Sequence, residues 1–103
     1  MKRPKALTAK TIMGKLADLP GWTLENGKLH REYRFADFVT AFGFMTCVAI
    51  FAEKANHHPE WSNVYNRVVM DLMTHDANGI TELDFWLADQ AEEIFHASAG
   101  HMH

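Results

Sequence analysis

Three histidines dominate the chemistry available to this chain. His57 and His58 are adjacent within Glu53-Lys54-Ala55-Asn56-His57-His58-Pro59-Glu60-Trp61, and His75 ends an apolar alternating run further on. Imidazole has its unperturbed pKa nearest physiological pH, so it can give and take protons there. Several imidazoles beside the flat ring of Trp61 suggest proton transfer on a planar heterocycle. Glu53 stands four residues before His57, a spacing that lets the carboxylate reach the ring if helical geometry persists through His57. The plain alternative is a histidine capping a helix C-terminus, where the dipole favours imidazolium. Trp61 has core packing as its ordinary role. Asp76 and Asp84 follow His75; Asp76 suits a turn, and Asp84 suits the first turn of a helix.

Other chemistries fit less well. Three histidines raise the question of zinc. However, there is no His-Glu-x-x-His, no cysteine pair and no usual helical histidine spacing, so metal ranks below acid–base chemistry. No serine or cysteine sits in a nucleophile motif, and no glycine loop could cradle a phosphate. Cys47, the single cysteine, excludes an internal disulfide and fits a reducing cytoplasm. It lies in an apolar run and reads as a buried structural thiol.

The elements that must position these residues can be read along the chain. Thr8 caps a predicted helix over about residues 9–18, ended by Leu19-Pro20-Gly21. Trp22–Glu25 and Lys28–Phe35 alternate as strands about the Asn26-Gly27 hairpin turn. A long helix is predicted over 37–55, begun at Asp37 or Ala36. It carries one apolar stripe of Phe38, Phe42, Met45 and Ala49 and another of Phe44, Val48, Phe51 and Ala55. That surface is wider than one small core needs, and it fits a subunit contact or burial within the domain equally. Asn56–Pro59 breaks the helix. Ser62–Val64 and Arg67–Thr74 form a second hairpin, with Val68, Met70 and Leu72 facing inward. Thr81 and Asp84 form a capping box for a last helix over about 82–97, whose inner face is Leu83, Trp86, Leu87, Gln90, Ala91 and Ile94. If the two hairpins pair, His75 comes within reach of His57 and His58.

This order predicts an α+β fold: a two-layer domain with a four-stranded antiparallel sheet covered on one face by three helices, α-β-β-α-β-β-α. The 103 residues suit one domain over 1–103, with flexible tails at 1–7 and 98–103. Nearly half the residues are apolar and the formal charge is −3, which gives no electrostatic reason to expect nucleic-acid binding. Phe38–Ala52 is too short to span a bilayer, and no signal peptide is visible. A soluble, cytoplasmic protein without a membrane partner is expected.

The Glu53…His57-His58-Pro59…Trp61 segment, then Asn63-Val64-Tyr65-Asn66, Thr74-His75 and Asp84, resembles the pterin-4a-carbinolamine dehydratase family. Gly21-Trp22 and Leu29-His30-Arg31-Glu32-Tyr33-Arg34-Phe35 agree more loosely, so the resemblance covers nearly the whole chain. It implies dehydration of 4a-hydroxytetrahydropterin to quinonoid dihydropterin, recycling the pterin cofactor of aromatic amino-acid hydroxylases without a metal or redox cofactor. It implies an active site of His57, His58 and His75. His57 and His75 would handle the proton transfers at the leaving hydroxyl, and His58 would mainly hold the pterin or the ring proton network. Glu53 would orient or charge His57, Trp61 would wall the pocket, and Asp84 would support the site or simply cap its helix. Asp76-Ala77-Asn78-Gly79 departs from the Glu-Cys that follows the histidine in some relatives. The family also implies a homodimer or homotetramer. Some animal relatives serve as dimerisation cofactors of a homeodomain transcription factor, so a protein-interaction module using the helical surface is the alternative function.

Overall fold

The computed structural model describes residues 4–100. Its elements are α1 (Ala9–Leu16), β1 (Thr23–Glu25), β2 (Lys28–Arg34), α2 (Phe38–Ala55), β3 (Glu60–Val64), β4 (Arg67–Leu72), a 3-10 turn (His75–Ala77) and α3 (Glu82–Gly100). The strands form one antiparallel sheet in the order β1-β2-β4-β3. The α+β architecture and element order agree with the sequence reading. Of the expected tails, 1–3 and 101–103 lie outside the described residues. Leu7 packs against the core and its N–H donates to the Ile80 carbonyl at 2.8 Å, while residues 98–100 continue α3.

Local chemistry accounts for the boundaries. The Thr8 side chain accepts from Thr11 N–H and starts α1, and Asp37 does the same with Thr40 N–H for α2. Asn26 and Gly27 both take positive φ, as the tight β1–β2 turn requires. Gly21 has φ +91°, and a Cβ there would lie 2.7 Å from the Arg31 guanidinium carbon, so no larger residue fits unchanged.

Alternation sets the core. Leu29, Tyr33, Val68, Met70 and Leu72 are fully buried on the face shared by β2 and β4, and Leu29 lies opposite Leu72 in register. Against them pack Ala41, Phe44, Val48 and Ala52 of α2, and Leu87, Ala88 and Ala91 of α3. Burying each large side chain contributes roughly 1.5–3 kcal/mol. Tyr33 stacks with Phe44 and Phe95 at centroid distances of 4.7 and 4.8 Å, and the Arg31 guanidinium lies 4.3 Å from its ring centroid.

Two expectations are corrected and one open choice is narrowed. Cys47 is exposed, not buried. It sits one residue from Val48, about 100° around the helix, and so leaves the core stripe. Of the two apolar stripes on α2, the core takes the one near Phe44 and Val48; Phe38 and Phe42 stay 48% and 54% exposed. On α3, Leu87 and Ala91 are buried as expected and Trp86 and Ile94 pack half-buried against the core, but Asp84, Phe85 and Ala88 are buried too, while Leu83 and Gln90 are only half-buried. The buried Asp84 carboxylate is hydrogen-bonded inside the molecule, and this turns the helix toward it. Helix α2 is apolar enough for comparison with a membrane span, at mean hydropathy 1.5 over 18 residues. Its Ala41, Phe44, Val48 and Ala52 nevertheless serve the sheet.

Candidate active site

The histidines are brought together by one hairpin. Strands β3 and β4 are antiparallel, with Glu60 opposite Asp71. The residues just before β3 therefore lie beside those just after β4. Asn56, His57, His58, Met73, His75 and Asp76 line a groove of about 240 Å³. His57 is 5% exposed, whereas the side chains of His58 and His75 are 57% and 73% exposed.

The end of α2 decides which histidine points inward. Asn56 adopts left-handed geometry, φ 50° and ψ 46°. Its N–H donates to the Glu53 carbonyl at 3.1 Å, and His57 N–H donates to that of Ala52 at 3.0 Å. These bonds satisfy carbonyls that the helix end would leave open. The chain turns there, and helical spacing does not persist to His57. The expected Glu53–His57 contact is accordingly replaced: Glu53 Oε1 meets His58 Nε2 at 2.9 Å on the surface.

His57 turns inward to Asp84. Its Nε2 lies 2.5 Å from Asp84 Oδ1. The second oxygen, Oδ2, accepts from Thr81 N–H at 2.9 Å and from the Thr74 hydroxyl at 2.8 Å. Thr81 Oγ1 accepts in return from Leu83 N–H at 3.2 Å. Of the two roles weighed for Asp84 from sequence, Oδ2 makes the capping bond of α3, and Oδ1 contacts His57. Asp84 is fully buried, and none of its described neighbours leaves a buried polar side-chain atom unpaired.

His75 opens the 3-10 turn, and its Nε2 lies 3.2 Å from Glu60 Oε2. Glu60 Oε1 receives Lys28 Nζ at 2.6 Å. The Lys28 hydrogen bond, aided by its charge and by His75, outweighs desolvation and holds the Glu60 carboxyl below the usual glutamate range. Each of the three histidines thus has its own carboxylate: Asp84, Glu53 and Glu60.

Trp61 is half-buried opposite Met70 on the helix-facing side of the sheet, packed against the core, and is not among the groove-lining residues. His30 pairs with Asp71 at 2.8 Å on the open face. Among the described residues no three His, Cys, Asp or Glu groups are arranged to share a metal ion. A larger groove of about 760 Å³, between the loop after α1 and α3, is lined by Asp18, Asp89, Glu92 and Glu93 with His96 and holds none of the three histidines.

Sequence reasoning passed over Glu60, Lys28, Thr74 and Thr81 as site residues. Thr74 carried a readable signal. It continues the inward register of Val68, Met70 and Leu72, so a hydroxyl falls where an apolar side chain belongs.

Comparison with known proteins identifies the family. The family model described as pterin 4 alpha carbinolamine dehydratase matches residues 5–94. A pterin-4-alpha-carbinolamine dehydratase by name, from Solibacter usitatus, is 58% identical over 88 residues, covering 85% of this chain and 93% of its own. Another of that name, from Sinorhizobium fredii, is 48% identical over 102 residues, covering 97% and 94%. A solved structure from Brucella melitensis, described as a transcriptional coactivator/pterin dehydratase, is 45% identical with TM-score 0.85, covering 88% of this chain and 99% of its own. By sequence along nearly its whole length and by fold, the chain belongs to the pterin-4-alpha-carbinolamine dehydratase family and is a dehydratase.

Proposed function

We propose that the groove of His57, His58 and His75 eliminates water from a 4a-hydroxytetrahydropterin, giving the quinonoid dihydropterin. The observation that carries this reading is the pairing of each histidine with a separate carboxylate around one groove. The elimination needs an acid and a base at once. An imidazolium protonates the hydroxyl as the C4a–O bond breaks, and a neutral imidazole takes the N5 proton. The N–H electron pair becomes the C4a–N5 double bond, and water leaves. His57 and His75 carry the two proton transfers, and His58, oriented by Glu53, holds the pterin ring. Imidazoles matched to neutral pH suit both tasks. Asp84 steadies His57 and offsets the charge it gains on protonation, as a carboxylate behind a catalytic imidazole does.

The test is turnover of chemically prepared 4a-hydroxytetrahydropterin above its spontaneous rate. His57→Ala or His75→Ala is expected to lose about 10²-fold in kcat, in keeping with the usual contribution of one acid or base. Normal turnover in the double variant would remove both residues from the mechanism.

The exposed Phe38, Val39, Phe42 and Ile50 on α2, with Phe38 and Phe42 in ring contact, support self-association through this helix. Phe42→Glu is expected to lower the sedimenting mass to that of one chain. An unchanged mass would exclude this face as the contact.

A further inference from the structure

The geometry points to Thr74 as a positioning residue that fixes His57 through Asp84 and joins it to the turn carrying His75. The inference rests on the reading of His57 and His75 as proton-transfer groups.

Hydrogen-bond direction carries the argument. Asp84, as a carboxylate, can only accept. Thr74 Oγ1 donates its proton to Asp84 Oδ2 at 2.8 Å. Thr81 Oγ1 already accepts from Leu83 N–H. Between the two hydroxyls, 2.7 Å apart, the donated proton is therefore that of Thr81. The chain runs one way: Leu83 N–H to Thr81, Thr81 to Thr74, Thr74 to Asp84. With Thr81 N–H it saturates Oδ2, which leaves Oδ1 to face His57 Nε2. That nitrogen must then carry the hydrogen, and Nδ1 keeps the lone pair of the neutral ring. The carboxylate thus selects the tautomer of His57, and the buried Thr74 hydroxyl, bonded to its other oxygen, holds that carboxylate in place. The chain begins at the N-terminal turn of α3, where the helix dipole favours the anion it ends on.

The backbone of Thr74 makes the second connection. Its N–H donates to the Gly79 carbonyl at 2.8 Å, and its carbonyl accepts from Gly79 N–H at 3.3 Å. This pair closes the turn that begins at His75. One residue therefore references both histidines: its side chain sets the carboxylate behind His57, and its main chain sets the base of the turn bearing His75. Thr74 is 1% exposed, so water cannot substitute freely for its hydroxyl.

The test uses Thr74→Val, which keeps the shape and removes the hydroxyl, and Thr74→Ser, which keeps the hydroxyl. Nitrogen-15 NMR of the His57 ring reads the tautomer at a pH where the ring is neutral, and steady-state kinetics read kcat and KM. Wild type is expected to show a single Nε2–H tautomer. Thr74→Val is expected to keep the Nε2–H tautomer but to show about a tenfold lower kcat with little change in KM, the size of one lost hydrogen bond. Thr74→Ser is expected to restore kcat. A folded Thr74→Val protein with the wild-type kcat would overturn the inference, as would a serine variant as impaired as valine. If the valine variant does not fold, the wild-type spectrum and the serine variant decide: an Nδ1–H tautomer in wild type overturns it. A wild type with the expected tautomer but no turnover would sink the dehydration reading and leave the Thr74–Asp84–His57 linkage standing.

Discussion

Glu60 holds two groups at once, His75 through one oxygen and Lys28 through the other. Because the Lys28 hydrogen bond keeps its carboxyl below the usual glutamate range, Glu60 stays ionised near neutral pH and is a counter-ion to a protonated His75. Glu60→Gln removes that charge while keeping an acceptor. Exposed pairs contribute little and are screened, so kcat is expected to fall by about two- to fivefold at low ionic strength and by less at high salt. Kinetics at two salt concentrations check this; a salt-independent loss would assign Glu60 a different role. The three histidines were legible in the sequence because their types and spacing are unusual. Their carboxylates were paired less well. Glu53 was assigned to His57 by helical spacing, and that spacing fails once Asn56 turns left-handed. Asparagine directly after a long apolar helix is a known mark of such a turn. The contacts of Asp84 and Glu60 with their histidines join separate elements and have no local signature.

At the scale of elements, the α2–β3 junction sets the site. Asn56 takes a positive φ that asparagine tolerates better than most residues. Asn56→Ala is expected to cost about 1–2 kcal/mol, the penalty of an ordinary residue in left-handed geometry, and Asn56→Gly much less. Urea unfolding of the two variants checks the order, and equal stabilities would show that the turn is not strained. The elements themselves were legible because each carries its own punctuation: Thr8, Asp37 and Thr81 at helix starts, Asn26-Gly27 in the first hairpin. The faces of α2 and α3 were less so. Helix α2 is apolar on nearly every side, so periodicity could not choose among its stripes, and Cys47 was placed inside. On α3 the helical pattern favoured Trp86 and Ile94, but burial of Asp84 turned the helix toward Phe85 and Ala88.

At the scale of the whole molecule, Glu92 ties the helical layer to the sheet. Its Oε2 accepts from Trp22 Nε1 at 2.9 Å, from Arg31 Nε at 3.1 Å and from the Tyr33 hydroxyl in a short hydrogen bond. Burial pulls the Glu92 carboxyl upward, but the bonds from Tyr33, Arg31 and Trp22 together bring it below its ordinary value of 4.5. Burial, then the contact with Glu92, raises the Tyr33 phenol, which stays a donor throughout the working range. A carboxyl lowered by folding stabilises the protein above its unfolded pKa, and this contribution is lost as pH falls through the folded pKa. Glu92→Gln is therefore expected to cost about 1.5–3 kcal/mol near neutrality, where the hydrogen bonds are to a charge. The gap from wild type should narrow below about pH 4. Denaturant midpoints at pH 7 and pH 3.5 check both; a gap that widens in acid would reverse the sign.

The hairpin that brackets the groove gives the site two different dependences on the folded state. His58 and His75 stand at the open end of β3 and β4, so pairing of neighbouring strands is enough to bring them together. The carboxylate of His57 arrives only with α3, the last element of the chain. During synthesis the surface half of the site can assemble while the C-terminus is still emerging, but the buried half cannot. A transient detachment of α3 in the finished protein would leave His58 and His75 side by side and release His57 alone. Under the proposed dehydration, competence is tied to docking of the final helix, and amide exchange along α3 measures how often His57 keeps its carboxylate.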